Sequence, residues 1–205
     1  MEKNLLSTRQ QRSIETKKKL LKSGHRVFLE QGFQKTTISQ IIKDAETGYG
    51  TAYVYFKNKD DILIVLMEDV MNRFYTIAER SFFPKTKIEA HTMIQNQVRA
   101  FLQLAEEERN ILQIVEEAIG ASNTVCHKWN EIRERFISRI MQDITYSQNN
   151  RLARSELNKA IAARGWFYTN EMFLWEIVRN EKKVDLEEVV FTLTEMYTSG
   201  LYKKS

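Results

Sequence analysis

The chain is short of nearly everything that interrupts a helix. It holds one proline, Pro84, and seven glycines in 205 residues. A fold of short strands and tight turns needs many more of both, so an all-helical protein is expected. There is one cysteine, Cys126, which excludes an intrachain disulfide. The three histidines, His25, His91 and His127, are not at metal-ligand spacing, so no metal and no cofactor is expected. A glycine-rich phosphate loop is absent. Cys126 and His127 are sequence neighbours that point in different directions on one helix. No catalytic residue is assigned, and an enzyme is not expected. No run approaches the roughly 18 apolar residues that span a bilayer, and Met1 to Arg12 lacks the apolar core of a signal peptide. The expectation is a cytoplasmic protein with no membrane partner. Repeats and low-complexity tracts are also missing.

What is present is an uneven charge. Residues 1–60 carry 12 Lys and Arg against 6 Asp and Glu, net +6, and residues 61–205 carry 19 against 21, net −2. The basic excess is confined to the N-terminal quarter. Phosphate neutralisation is the main sequence-independent term in DNA affinity, so a local excess points to nucleic acid more firmly than the whole-chain pI does.

That quarter contains two short helical patterns around a turn. Thr37 and Gln40 have the spacing of a capping box, and Ile38, Ile41, Ile42 and Ala45 follow at i, i+3, i+4 and i+7. Glu46, Thr47 and Gly48 break the pattern, and a second run extends from about Tyr49 to Phe56. This is the layout of a helix-turn-helix whose second helix enters the major groove. Before it, a first helix is expected from about Arg12 to Gln31, with Leu20, Leu21, Gly24, Val27 and Phe28 as its apolar stripe. Gly32 would stop it in a left-handed conformation, with Phe33 folded back on Phe28. After it, Asn58 caps a fourth helix that runs to about Phe83, where Pro84 interrupts. The expected domains are 1–57, an N-terminal arm and helix-turn-helix; 58–84, a connecting helix; and 85–205, a ligand-binding and dimerisation domain.

The stretch Phe28-Leu-Glu-Gln-Gly-Phe-Gln-Lys-Thr-Thr-Ile38, with Gly50-Thr-Ala-Tyr-Val-Tyr-Phe-Lys-Asn-Lys-Asp-Asp-Ile-Leu63, resembles the DNA-binding domain of the tetracycline-repressor (TetR) family over roughly residues 9–66. The resemblance implies a dimeric, all-α regulator of about nine helices whose larger C-terminal domain takes a small ligand. The turn departs from the family's usual Ala-Gly-Val-Ser: Ala45-Glu46-Thr47-Gly48 asks Glu46 to accept a left-handed backbone at a cost of about 1 kcal/mol and leaves Gly48 as a weak N-cap.

Carried over by residue, the resemblance gives Thr37, Tyr53, Tyr55, Lys57 and Lys59 to phosphates, and Gln40, Tyr49 and Thr51, beside Gly50, to base edges. An aromatic core role for Tyr53 and ordinary solvated charge for Lys57 and Lys59 are the competing readings. Arg9, Arg12, Lys17, Lys18 and Lys19 read as either a flexible basic arm or a solvated face.

The remainder reads as five helices at about 87–106, 110–119, 123–146, 154–179 and 185–203. The last two carry more apolar surface than one core contact needs, so a homodimer through about 154–179 and 185–203 is expected, placing two heads on a near-palindromic operator in double-stranded DNA. Phe101, Trp129, Trp166, Asn170 and Phe173 are candidates to line a pocket for a small apolar effector; an aromatic core with a satisfied Asn is the competing reading. Glu116-Glu117 reads either as a site for a cationic drug or as a solvated pair. Three functions remain open: a ligand-released repressor, an activator or architectural factor without ligand, and a helical ligand-binding or adaptor protein that has lost DNA reading.

Overall fold

The computed structural model describes residues 7–180 and 185–202. Among them are nine helices: α1 (Thr8–Lys35), α2 (Ile38–Asp44), α3 (Tyr49–Tyr55), α4 (Lys59–Ala78), α5 (Lys87–Glu107), α6 (Arg109–Ala121), α7 (Asn123–Asn149), α8 (Lys159–Val178) and α9 (Leu186–Leu201). The one bridge between extended residues joins Ala153 to Tyr202. The fold is all-α. The described residues divide into two compact units, one within Met1–Asp69 and Gln113–Lys128, the other within Val70–Leu112 and Trp129–Ser205.

In the first unit, α1 starts four residues earlier than its apolar pattern suggests. The Ser7 hydroxyl accepts from the Gln10 N–H and the Gln10 side chain accepts from the Ser7 N–H, a reciprocal cap that outweighs the lack of apolar residues nearby. Arg9, Arg12, Lys17, Lys18 and Lys19 therefore lie on a helix and form no flexible arm, and all five are exposed. At Gly32 the helix bends with φ 78° and ψ 169°. This is extended backbone of positive φ, not the left-handed helical stop, and one more turn follows to Lys35. The packing of Phe33 on Phe28 is as expected, with ring centroids 5.9 Å apart.

Leu20, Val27, Phe28, Ile41, Ile42, Ile62 and Leu63 are buried together as the core of this unit. Gly24 lets α1 and α4 cross closely, because a Cβ there would stand 2.5 Å from Cγ2 of Ile62. Arg26 of α1 pairs with Asp44 of α2, and that guanidinium, with Ser23, holds the Asp44 carboxyl below its ordinary range.

In the second unit α5 packs on α8 and α9. Its centre is aromatic: Phe74 against Phe101 at 5.0 Å, Phe101 against Phe136 at 5.9 Å, and Phe136 against Phe167 at 5.8 Å. The fourth helix ends at Ala78 and not near Phe83, because the Gln97 amide donates to the Ile77 and Ala78 carbonyls and satisfies the helix end there. Likewise α8 begins at Lys159 and not near 154, since Asn158 caps the Ala160 and Ile161 N–H groups.

Candidate functional site

The helix-turn-helix is built as a rigid cassette. Thr37 caps α2 by accepting from the Gln40 N–H, while the Gln40 Oε1 accepts from the Thr37 N–H at 2.7 Å. Gln40 is exposed, but its amide is engaged at both ends, with Nε2 donating to Gln31 at 2.9 Å. In the turn Glu46 takes φ 50°, the left-handed conformation anticipated there, and Gly48 caps α3 without a side-chain hydrogen bond.

On α3, Ala52 and Phe56 face inward and Tyr55 is half-buried with its hydroxyl donating to Ser13 at 2.9 Å. The opposite face is bare. Tyr49 is 54% exposed and Tyr53 46%, so Tyr53 is no core residue. Beside them on the helix lie Gly50, where a Cβ would meet nothing within 4 Å, and Val54, 78% exposed. A β-branched apolar side chain so exposed at the middle of a polar face is a feature the sequence reading missed. Its signal was present in the helical angle that puts Val54 one turn after Gly50.

Lys57 is exposed, and its backbone N–H donates to Asp61 at 2.7 Å. Lys59 behaves differently. Its ammonium donates to the carbonyls of Phe33 at 2.6 Å, Thr36 at 2.9 Å and Gln34 at 3.3 Å, and lies 4.2 Å from the Phe33 ring centroid. It terminates α1 rather than facing solvent.

The same segment is gripped from the other side. The Glu117 carboxylate on α6 accepts from the Phe33 N–H at 2.8 Å and the Gln34 N–H at 3.0 Å. Glu117 is thus neither half of a solvated pair nor a ligand for a cation; it satisfies the N–H groups that the bend at Gly32 leaves without helical partners. A Cβ at Gly32 would stand 2.9 Å from Glu117 Oε2. Two opposite charges from α4 and α6 therefore fix the link that leads into Thr37.

The second unit contains a small cavity of about 60 Å³, open to solvent at its mouth, among α4, α5, α7 and α8. Phe101, Phe136, Trp166 and Phe167 supply apolar wall, and Arg139, Asp143 and Asn170 are polar points on it. Of the five candidate ligand residues, Phe101, Trp166 and Asn170 come together here. Trp166 also stacks on Tyr197 at 4.1 Å, and Asn170 Nδ2 donates back to the Trp166 carbonyl at 2.8 Å. Trp129 and Phe173 are not on the cavity wall. Trp129 lies 5.2 Å from Trp175 and donates to the buried carboxylate of Glu171 at 2.7 Å, which also accepts from Arg133.

Residues 20–66 match the family model of bacterial regulatory proteins, tetR family. The chain is 27% identical over 179 residues to the fatty acid metabolism regulator protein of Bacillus subtilis, covering 87% of this chain and 91% of that one. Residues 20–66 are a DNA-binding domain of the TetR family. The relatives of this chain are TetR-family transcriptional regulators, which bind DNA and are not enzymes. Solved structures carry the same fold along nearly the whole chain. A putative TetR-family regulator from Syntrophomonas wolfei superposes with TM-score 0.72 at 22% identity, over 90% of this chain and 94% of that one. A complex of SmeT, from Stenotrophomonas maltophilia, with triclosan superposes with TM-score 0.71 at 18% identity, over 93% of each. Among the described residues no helix is long and apolar enough to cross a membrane.

Proposed function

We propose that this regulator is a homodimeric repressor, held on a near-palindromic operator by α3 of each subunit and released when a small, largely apolar effector enters the cavity of the second unit. The observation that carries the DNA-reading part is the exposed face of α3, which presents Tyr49, Gly50, Thr51, Tyr53 and Val54. We assign base reading to Tyr49, Gly50 and Thr51, and phosphate positioning to Thr37, Tyr53 and Lys57. Gln40, Tyr55 and Lys59, engaged with Gln31, Ser13 and the end of α1, hold the frame in which those residues act.

Dimerisation is supported by an exposed stripe on α8. Ile161, Gly165, Tyr168 and Met172 recur at i, i+4, i+7 and i+11, and Phe191 and Met196 are exposed on α9. An apolar row on α8 beside two exposed apolar residues of α9 fits a two-fold bundle. Effector release is supported by the aromatic walls of the cavity and by two relatives, one named for fatty acid metabolism and one solved with triclosan.

Effector and operator must oppose each other reciprocally if release is the mechanism. The test titrates dodecanoate into free protein and into protein saturated with operator. A weaker affinity in the operator-bound protein, by the same factor that dodecanoate weakens operator binding, supports the reading. Equal affinity in both overturns it.

A further inference from the structure

The charged residues on the cavity wall are Arg139 and Asp143, one helical turn apart on α7, beside the neutral amides of Gln97 and Asn170. The two side chains are 21% and 15% exposed, Arg139 Nη1 donates to Asp143 Oδ1 at 2.5 Å, and Arg139 Nη2 donates to the Arg80 carbonyl at 3.0 Å. The guanidinium is therefore fixed by backbone on one side and by a carboxylate of its own helix on the other. We propose that Asp143 occupies the seat of an effector's anionic head, and that the effector is an apolar chain ending in one carboxylate or similar anion, which takes Arg139 from Asp143. This rests on the reading that the cavity holds the effector.

Only one of the two charges can be given up. A ligand that fills the cavity expels the remaining water and raises the cost of every charge left inside. Arginine cannot shed its proton in a protein, whereas a carboxyl group can accept one. Burial already pushes the Asp143 carboxyl up to about 7 despite the neighbouring guanidinium. The phenols of Tyr197 and Tyr202, also charge-coupled to Asp143, are themselves pushed upward by burial and stay neutral beside it. The filled cavity thus retains the Arg139 cation and a carboxyl group that is easily neutralised. An entering anion completes the Arg139 pair in a bidentate geometry that an alcohol cannot reproduce. An ammonium head would meet the guanidinium without a settled counter-ion.

The test compares dodecanoate, dodecyl phosphate, dodecanol and dodecylamine, each below its micelle concentration, by calorimetry on the full chain and on Asp143→Asn. The expected result is that the two anions bind about tenfold or more tighter than dodecanol, the scale of one charge-assisted hydrogen bond. Dodecylamine should bind weakest. Asp143→Asn, nearly isosteric, should tighten the anions and leave dodecanol unchanged, because the competing carboxylate is gone. Equal affinity for dodecanoate and dodecanol, or a preference for dodecylamine, overturns the anionic head while leaving an apolar effector in place. Failure of all four to bind overturns the apolar effector itself, and this inference with it.

Discussion

Replacing Gly32 by alanine tests the joint between α6 and the DNA-reading head, because two separable penalties meet there. The backbone at Gly32, with φ 78° and ψ 169°, is a conformation that side-chain-bearing residues adopt at about 1–3 kcal/mol. The new Cβ would also stand 2.9 Å from Glu117 Oε2, so the carboxylate has to withdraw from the Phe33 and Gln34 N–H groups. Hydrogen bonds to a charged group contribute about 1.5–3 kcal/mol, and weakening this pair should add about 2. Gly32→Ala should then cost about 3–5 kcal/mol in the wild-type chain. In a Glu117→Ala background only the backbone term remains, so the double mutant should be less destabilised than the sum of the single mutants by about 2 kcal/mol. Urea unfolding of the four proteins, followed by helix content, measures this directly. Additivity within about 0.5 kcal/mol would refute the claim that Glu117 is clasped on the bend at Gly32.

Other consequences follow from the same geometry. If Val54 lies against a thymine methyl, replacing one thymine of the operator by deoxyuracil should weaken the wild type by several fold and leave Val54→Ser unaffected; a uracil scan with no position coupled to Val54 excludes the contact. Tyr53→Phe should weaken binding to all sequences alike, and Tyr49→Ala should change the preferred sequence in a competitive selection. Ile161→Glu with Met172→Glu should yield monomers in light scattering at micromolar concentration, with operator affinity lost and helix content kept. For Asp143, the folded carboxyl is raised to about 7 from 3.8, so the fold favours its protonated form; the associated stability is present below about pH 4 and is lost as pH rises through about 7. Asp143→Asn should therefore be more stable than wild type by about 2–4 kcal/mol at pH 8 and equal to it near pH 4.

The helix-turn-helix was legible because its signals are local. The Thr37–Gln40 cap, the isoleucine spacing of α2 and the strained Glu46 are all set by residues within a few positions of each other. The first turn of α1 was missed because Ser7 and Gln10 start a helix by capping, with no apolar pattern to announce it. The end of α4 was placed near Pro84 because that is the nearest sequence break; the actual stop at Ala78 is made by Gln97, nineteen positions on. Lys59 and Glu117 show the same limit. A lysine at a helix start and a glutamate beside another glutamate look solvated in sequence, and only the tertiary fold brings them to the carbonyls and N–H groups of residues 33–36. In the cavity, Phe101, Trp166 and Asn170 were found from aromatic content and helical phase. Arg139 and Asp143 were not, since an i, i+4 ion pair on a helix looks like an exposed one until the neighbouring helices cover it.

Selection of genomic DNA fragments by the purified protein, with the winning sites titrated at two salt concentrations, tests the proposal of a sequence-reading dimer most directly. A sequence-reading dimer should recover a near-palindromic site bound by two chains, with affinity falling steeply as salt rises. Recovery of sequence-blind binding alone, or of none, would contradict it.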